Sequence, residues 1–169
     1  MSKTQLQAVY SYEENFQAAI KTLIAAETTA IQVLRFGDEA TLVKPRIEIA
    51  TEYQGVDMVD RSLDDQGRLY FRKHNLQVRI QLFDTPTART QHLTRCGLMR
   101  ALLSYQLKEL VQPLLPFYQI QNIFEQGGQS GVSSADDDEL TTVLTFLIHF
   151  LIPPTAFNAD EEDEGEPEE

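Results

Sequence analysis

Asn75-Leu76-Gln77-Val78-Arg79-Ile80-Gln81-Leu82-Phe83-Asp84 alternates apolar and polar side chains almost throughout. Successive side chains of a strand point to opposite faces. Leu76, Val78, Ile80 and Leu82 therefore share one face, and Gln77, Arg79 and Gln81 the other. Such a strand has a core on one side and solvent, or another subunit, on the other.

The pattern repeats upstream. After Pro45, Arg46-Ile47-Glu48-Ile49-Ala50-Thr51-Glu52-Tyr53 places Ile47 and Ile49 on one face. Proline suits a strand's first position, where no ladder donor is needed. A shorter strand, Ala30–Phe36, precedes it and closes at the Gly37-Asp38 turn. Gln54–Arg68, with Gly55, Gly67 and a polar cluster, reads as a loop. Before these strands, Ser11 and Glu14 have the spacing of a capping box. Phe16, Ala19, Ile20, Leu23 and Ile24 follow at helical intervals.

Downstream, Asp84-Thr85-Pro86-Thr87 ends the strand and opens a second helix, with proline in its first turn. Leu93, Cys96, Met99, Leu103, Leu107 and Leu110 form its expected buried stripe, and Pro113 and Pro116 stop it. Phe117–Phe124 reads as a strand, and Gln126–Ser134 as a Gly/Ser-rich loop. Leu140–Ile152 is a long final strand. Leu144, Phe146, Ile148, Phe150 and Ile152 line one face; Val143, Leu147 and Leu151 share the other with Thr145 and His149. Apolar residues on both faces require a second cover, either a helix or a neighbouring subunit. The expected fold is two-layer α+β: two main helices on a mostly antiparallel sheet of about five strands, within residues 1–157.

The charge is uneven. Of the net −12, eight negative charges lie in Asp160–Glu169, leaving −4 for the rest of the 169 residues. Residues 158–169 are expected to be a disordered acidic tail, unable to bury enough apolar surface to fold. Without a basic face, sequence-specific nucleic-acid binding is not expected. The polar start of the chain and an apolar run of ten residues at Val143–Ile152 argue against a leader and a membrane span, so a cytoplasmic start is expected.

No catalytic, cofactor or metal site is expected. His74, His92 and His149 lack the spacing of a metal centre. His92 and Cys96 are one helical turn apart, and the bland reading is a histidine beside a buried thiol. Asp136–Glu139 lacks the alternation of a calcium loop. Gly127, Gly128 and Gly131 lead to a strand without the Lys-Ser/Thr of a phosphate loop. Glu48 and Glu52 share a strand face and are better read as surface than as an acid/base pair.

The strands "KPRIEIATEY" (44–53) and "NLQVRIQLFD" (75–84), the helix "ARTQHLTRCGLMRALL" (88–103) and the closing "LTTVLTFLIHFLIPPTAF" (140–157) follow one another in an order that resembles the tail terminator, or tail completion, proteins of tailed bacteriophages, of the minor tail protein U type. The resemblance spans about residues 11–157. It implies a hexameric ring that ends the tail tube and joins it to the head connector, with tail tube protein, neck protein and copies of the chain as partners, in a virion. Such a function lies in surfaces. Candidate interface residues are Arg46, Glu48, Glu52 and Arg79 on the strands, and Asp57, Asp60, Arg61, Asp64, Asp65 and Arg68 in the loop. The alternative expectation is an adaptor whose acidic tail captures a basic partner.

Overall fold

The Leu76–Leu82 alternation is realised as a long strand at the middle of a sheet. A computed structural model describes residues 3–57, 73–106, 109, 112–126, 132–135 and 138–152. Helices α1 (Lys3–Tyr10) and α2 (Tyr12–Glu27) lead into strands β1 (Gln32–Arg35), β2 (Arg46–Asp57) and β3 (Lys73–Asp84). A 3-10 turn (Pro86–Ala88) starts α3 (Arg89–Ala101), which runs into a π-helical turn (Leu102–Gln106). After a second 3-10 turn (Gln112–Leu114) come β4 (Gln119–Glu125), β5 (Val132–Ala135) and β6 (Leu140–Leu151).

The strands form one mixed sheet in the order β1-β2-β3-β6-β4, with β5 also on β6. β1 and β2 are parallel; the other pairings are antiparallel. β3 pairs with β6 from Asp84↔Leu140 to His74↔Phe150. The other edge of β6 is shared: β4 pairs with Phe146–Leu151, and β5 with Leu140–Val143. The two short strands thus follow one another along a single position, so six strands fill five places. The class is α+β.

Ile47, Ile49, Leu76, Val78, Ile80, Leu82, Leu144, Phe146, Ile148 and Phe150 point to one face and are buried with Phe16, Ile20 and Ile24 of α2 and Cys96 and Met99 of α3. α2 lies over β1 and β2, and α3 over β3 and β6. Pro86 lies at the start of the 3-10 turn as its fixed φ favours.

Several expectations are corrected. Helix α1 precedes Ser11, and its last-turn carbonyls lack partners within the helix. The Ser11 hydroxyl donates to one of them, the Gln7 carbonyl, at 2.8 Å. Ser11 makes no side-chain cap on α2, so the capping box does not form. Gln54–Asp57 is strand and not loop. β2 continues past a register shift between Tyr53 and Gly55, where Gly55 takes φ +101°, a conformation glycine adopts without strain.

The buried stripe of α3 is His92, Cys96 and Met99, while Leu93 is 60% exposed. Part of the Gly/Ser-rich segment, Val132–Ala135, is a strand: pairing to β6 overrides its weak local preference. Of the remaining expectations, residues 58–72 (including Tyr70-Phe71), 127–131, 136–137 and the acidic tail 158–169 lie outside the described residues, as do the side chains of Leu107 and Leu110.

Candidate assembly surface

The face of the sheet opposite the helices is built by the second half of each alternation. Glu48, Ala50 and Glu52 of β2 lie beside Gln77, Arg79 and Gln81 of β3 through the pairs Glu48↔Gln81, Ala50↔Arg79 and Glu52↔Gln77. β6 continues the surface with Val143, Thr145 and Leu147, opposite Gln81, Arg79 and Gln77. The second cover expected for β6 is not a helix among the described residues. Two depressions on this face, of about 330 and 760 Å³, are lined by strand residues together with Phe36 alone. Val143 and Leu147 remain half-buried there.

Charge on this face is paired at its rim and open at its centre. Arg46 Nε donates to Glu48 Oε1 at 2.7 Å, and its guanidinium lies 3.6 Å from the centroid of the Phe83 ring. Arg46 and Lys44 also meet Glu139, at 3.4 and 3.1 Å. Burial acts to raise the Glu139 pKa, but Lys44, Thr141 and Arg46 outweigh it and hold the carboxyl below its ordinary value. At the far end, Lys73 pairs with Asp57 at 2.9 Å and lowers its pKa. Between these rims Arg79 and Glu52 are exposed and form no ion pair among the described residues. Arg79 stands opposite Ala50, diagonal to both Glu48 and Glu52.

Of the sequence candidates, the structure brings Arg46, Glu48, Glu52 and Arg79 onto one face and sets Asp57 at its end. Asp60, Arg61, Asp64, Asp65 and Arg68 lie outside the described residues. Phe36 was missed. It follows a four-residue strand, in the turn that ends it, and no periodicity marks it.

A second polar cluster lies on the helix side. His92 Nδ1 is 2.8 Å from Asp84 Oδ2, and its Nε2 is 2.7 Å from Thr142 Oγ1. Arg95 pairs with the other Asp84 oxygen. Burial pushes the Cys96 thiol up, and a hydrogen bond with the Thr142 hydroxyl acts in the opposite direction. Carboxylate, imidazole and hydroxyl in series have the connectivity of a hydrolytic triad. Here His92 is 1% exposed and Asp84 2%, so the series ties β3, α3 and β6 together out of reach of a substrate. Among the described residues no group of three or more His, Cys, Asp or Glu side chains could hold a metal ion. No described helix is long and apolar enough to cross a membrane.

No family model matches the chain, and no curated protein does. A solved structure whose name states no activity superposes with a TM-score of 0.47 at 14% identity, over 91% of this chain and 99% of the other.

Proposed function

We propose that the chain is a structural assembly protein of a tailed bacteriophage, which forms a ring at the end of the tail tube and joins it to the head connector. The observation that supports this reading is the open sheet face. Helices cover one side of the sheet, while the other presents Glu52 and Arg79 beside half-buried Val143 and Leu147. Flat surfaces of mixed charge with partly apolar floors suit docking between folded proteins more than enclosure of a small molecule. The resemblance in element order gives the reading its particular form, including the partners: copies of the chain, tube protein and neck protein. The adaptor reading rests on the acidic run Asp160–Glu169 alone.

The test adds the purified chain to tail tubes of the phage or prophage that encodes it, with negative-stain imaging of tube ends. The expected result is ring-shaped density at one end of each tube. Bare ends at saturating protein overturn the reading.

A further inference from the structure

A groove of about 640 Å³ opens beside the end of β1 and shares only Phe36 with the depressions of the sheet face described above. Tyr10, Glu13 and Glu14 line one wall, and Phe36 the other. Phe36 is 80% exposed and Tyr10 54%. The two exposed rings in one groove offer apolar surface for a partner to cover. The groove is also acidic. Asp38 is neutralised within it by Lys21 and Arg35, at 2.8 and 3.3 Å. Glu13 accepts the Tyr53 backbone N–H at 2.8 Å. Glu14 is exposed and makes no ion pair among the described residues. An aromatic groove with free carboxylate charge fits a cation with an apolar neighbour.

The chain carries such a group on α3. Arg89 and Leu93 are four residues apart, hence on one helix face. Both are exposed, and Arg89 makes no ion pair among the described residues, unlike Arg95 and Arg100. α3 itself has no acidic residue.

We propose that Arg89 and Leu93 of one copy seat in the Tyr10–Phe36 groove of a second copy, with Arg89 paired to Glu14. Leu93 then covers the Phe36 ring. The groove lies beside α2, over β1 and β2, whereas the knob lies on α3, over β3 and β6. The two patches are different surfaces of the same chain, so the contact is heterologous and each copy keeps one patch for a further neighbour, as ring closure requires. This contact rests on the assembly reading and supplies its subunit interface.

Sedimentation of the full chain over a concentration series, and imaging on tube ends, test it with four variants. Arg89→Glu and Glu14→Arg, each alone, are expected to weaken self-association by about tenfold or more, and the two together in one chain to restore it. Leu93→Ser, at an exposed position whose loss does not threaten the fold, is expected to weaken association to a similar degree. Single variants that assemble like wild type, or a double variant no better than the weaker single, overturn the contact and leave the ring reading standing. A wild-type chain that is monomeric both in solution and on tube ends overturns both.

Discussion

His92 shows what a buried polar side chain costs and supplies. Its two ring nitrogens are both occupied, by Asp84 and by Thr142, at 2.8 and 2.7 Å. Removing the ring leaves the buried Asp84 Oδ2 without its imidazole partner, and an unsatisfied buried acceptor costs about 1–3 kcal/mol. His92→Ala is therefore expected to lower unfolding free energy by at least the lower half of that range, read by urea denaturation. An unchanged midpoint means the network is idle. Asp38 behaves differently because it is at the surface. The Lys21 ammonium, and then the Arg35 backbone N–H, hold its pKa down from 3.8 to about 2. A pKa lower in the folded state than in the unfolded one adds stability above 3.8, which is lost as pH falls towards 2. Asp38→Asn should thus melt below wild type near neutral pH, with the gap closing between pH 3.8 and about 2. A gap independent of pH sinks the assignment. Neither residue was readable at this level from sequence. The helical stripe admits two phases, and Leu93 is the natural anchor by hydrophobicity. The observed phase turns His92 inward instead, to Asp84 and Thr142, more distant in the chain.

At the scale of elements, α3 carries a flaw its surroundings permit mending. Gly97 lies inside the helix, and an added Cβ would meet nothing within 4 Å. Glycine there loses more conformational freedom on folding than alanine does, a difference of about 0.5–1 kcal/mol. Gly97→Ala is expected to raise the thermal midpoint of the chain. A lower midpoint would show that the helix needs the gap. The elements legible in sequence were those whose period matched a buried face: β2, β3, β6 and α2 all show it, because each has one side in the core. α1 and β5 lack that signal. Val132–Ala135 is short and becomes a strand through pairing with Leu140–Val143. The first four residues beyond Tyr53 read as loop because of Gly55, yet the register shift lets β2 pass through it. Of the candidate surface, the alternating halves of β2 and β3 were legible for the same reason as the core. Phe36 and the groove beside it depend on how a turn meets α2, which no period records.

At the scale of the molecule, the two ends of the described chain meet at one aromatic group. The Phe150 ring, near the end of β6, lies 5.4, 5.0 and 5.2 Å from those of Tyr12, Phe16 and Tyr118. The Tyr118 hydroxyl donates to the Val9 carbonyl at 2.8 Å and accepts from Asn15 at 2.6 Å. α1, α2, β6 and the segment before β4 are joined there across more than a hundred residues of sequence. Phe150→Ala removes the centre of that group and is expected to cost about 3–5 kcal/mol, a large share of a domain's whole stability. Calorimetry should show one cooperative transition at a much lower temperature. A separate early transition, with the midpoint of the remainder unchanged, would show that the helices are held independently of the sheet.

The outer face of the same sheet makes the opposite demand. Arg79 is exposed on β3, and its loss breaks no ion pair among the described residues. Surface substitutions of this kind change stability by about 0.5 kcal/mol or less. Its value lies in what meets it. A partner surface facing Arg79 together with Glu48 and Glu52 must present the reverse order of charge, or leave desolvated charges unpaired. Arg79→Glu turns this stretch into a run of like charges while leaving the inward residues Val78 and Ile80 untouched. The variant is expected to unfold within about 0.5 kcal/mol of wild type and to bind tube ends more weakly, with the wild type itself weakening as salt rises. Equal binding by the two proteins at low salt would remove the open face from the docking surface. It would then leave the groove at the end of β1 and the exposed side of α3 to carry the assembly.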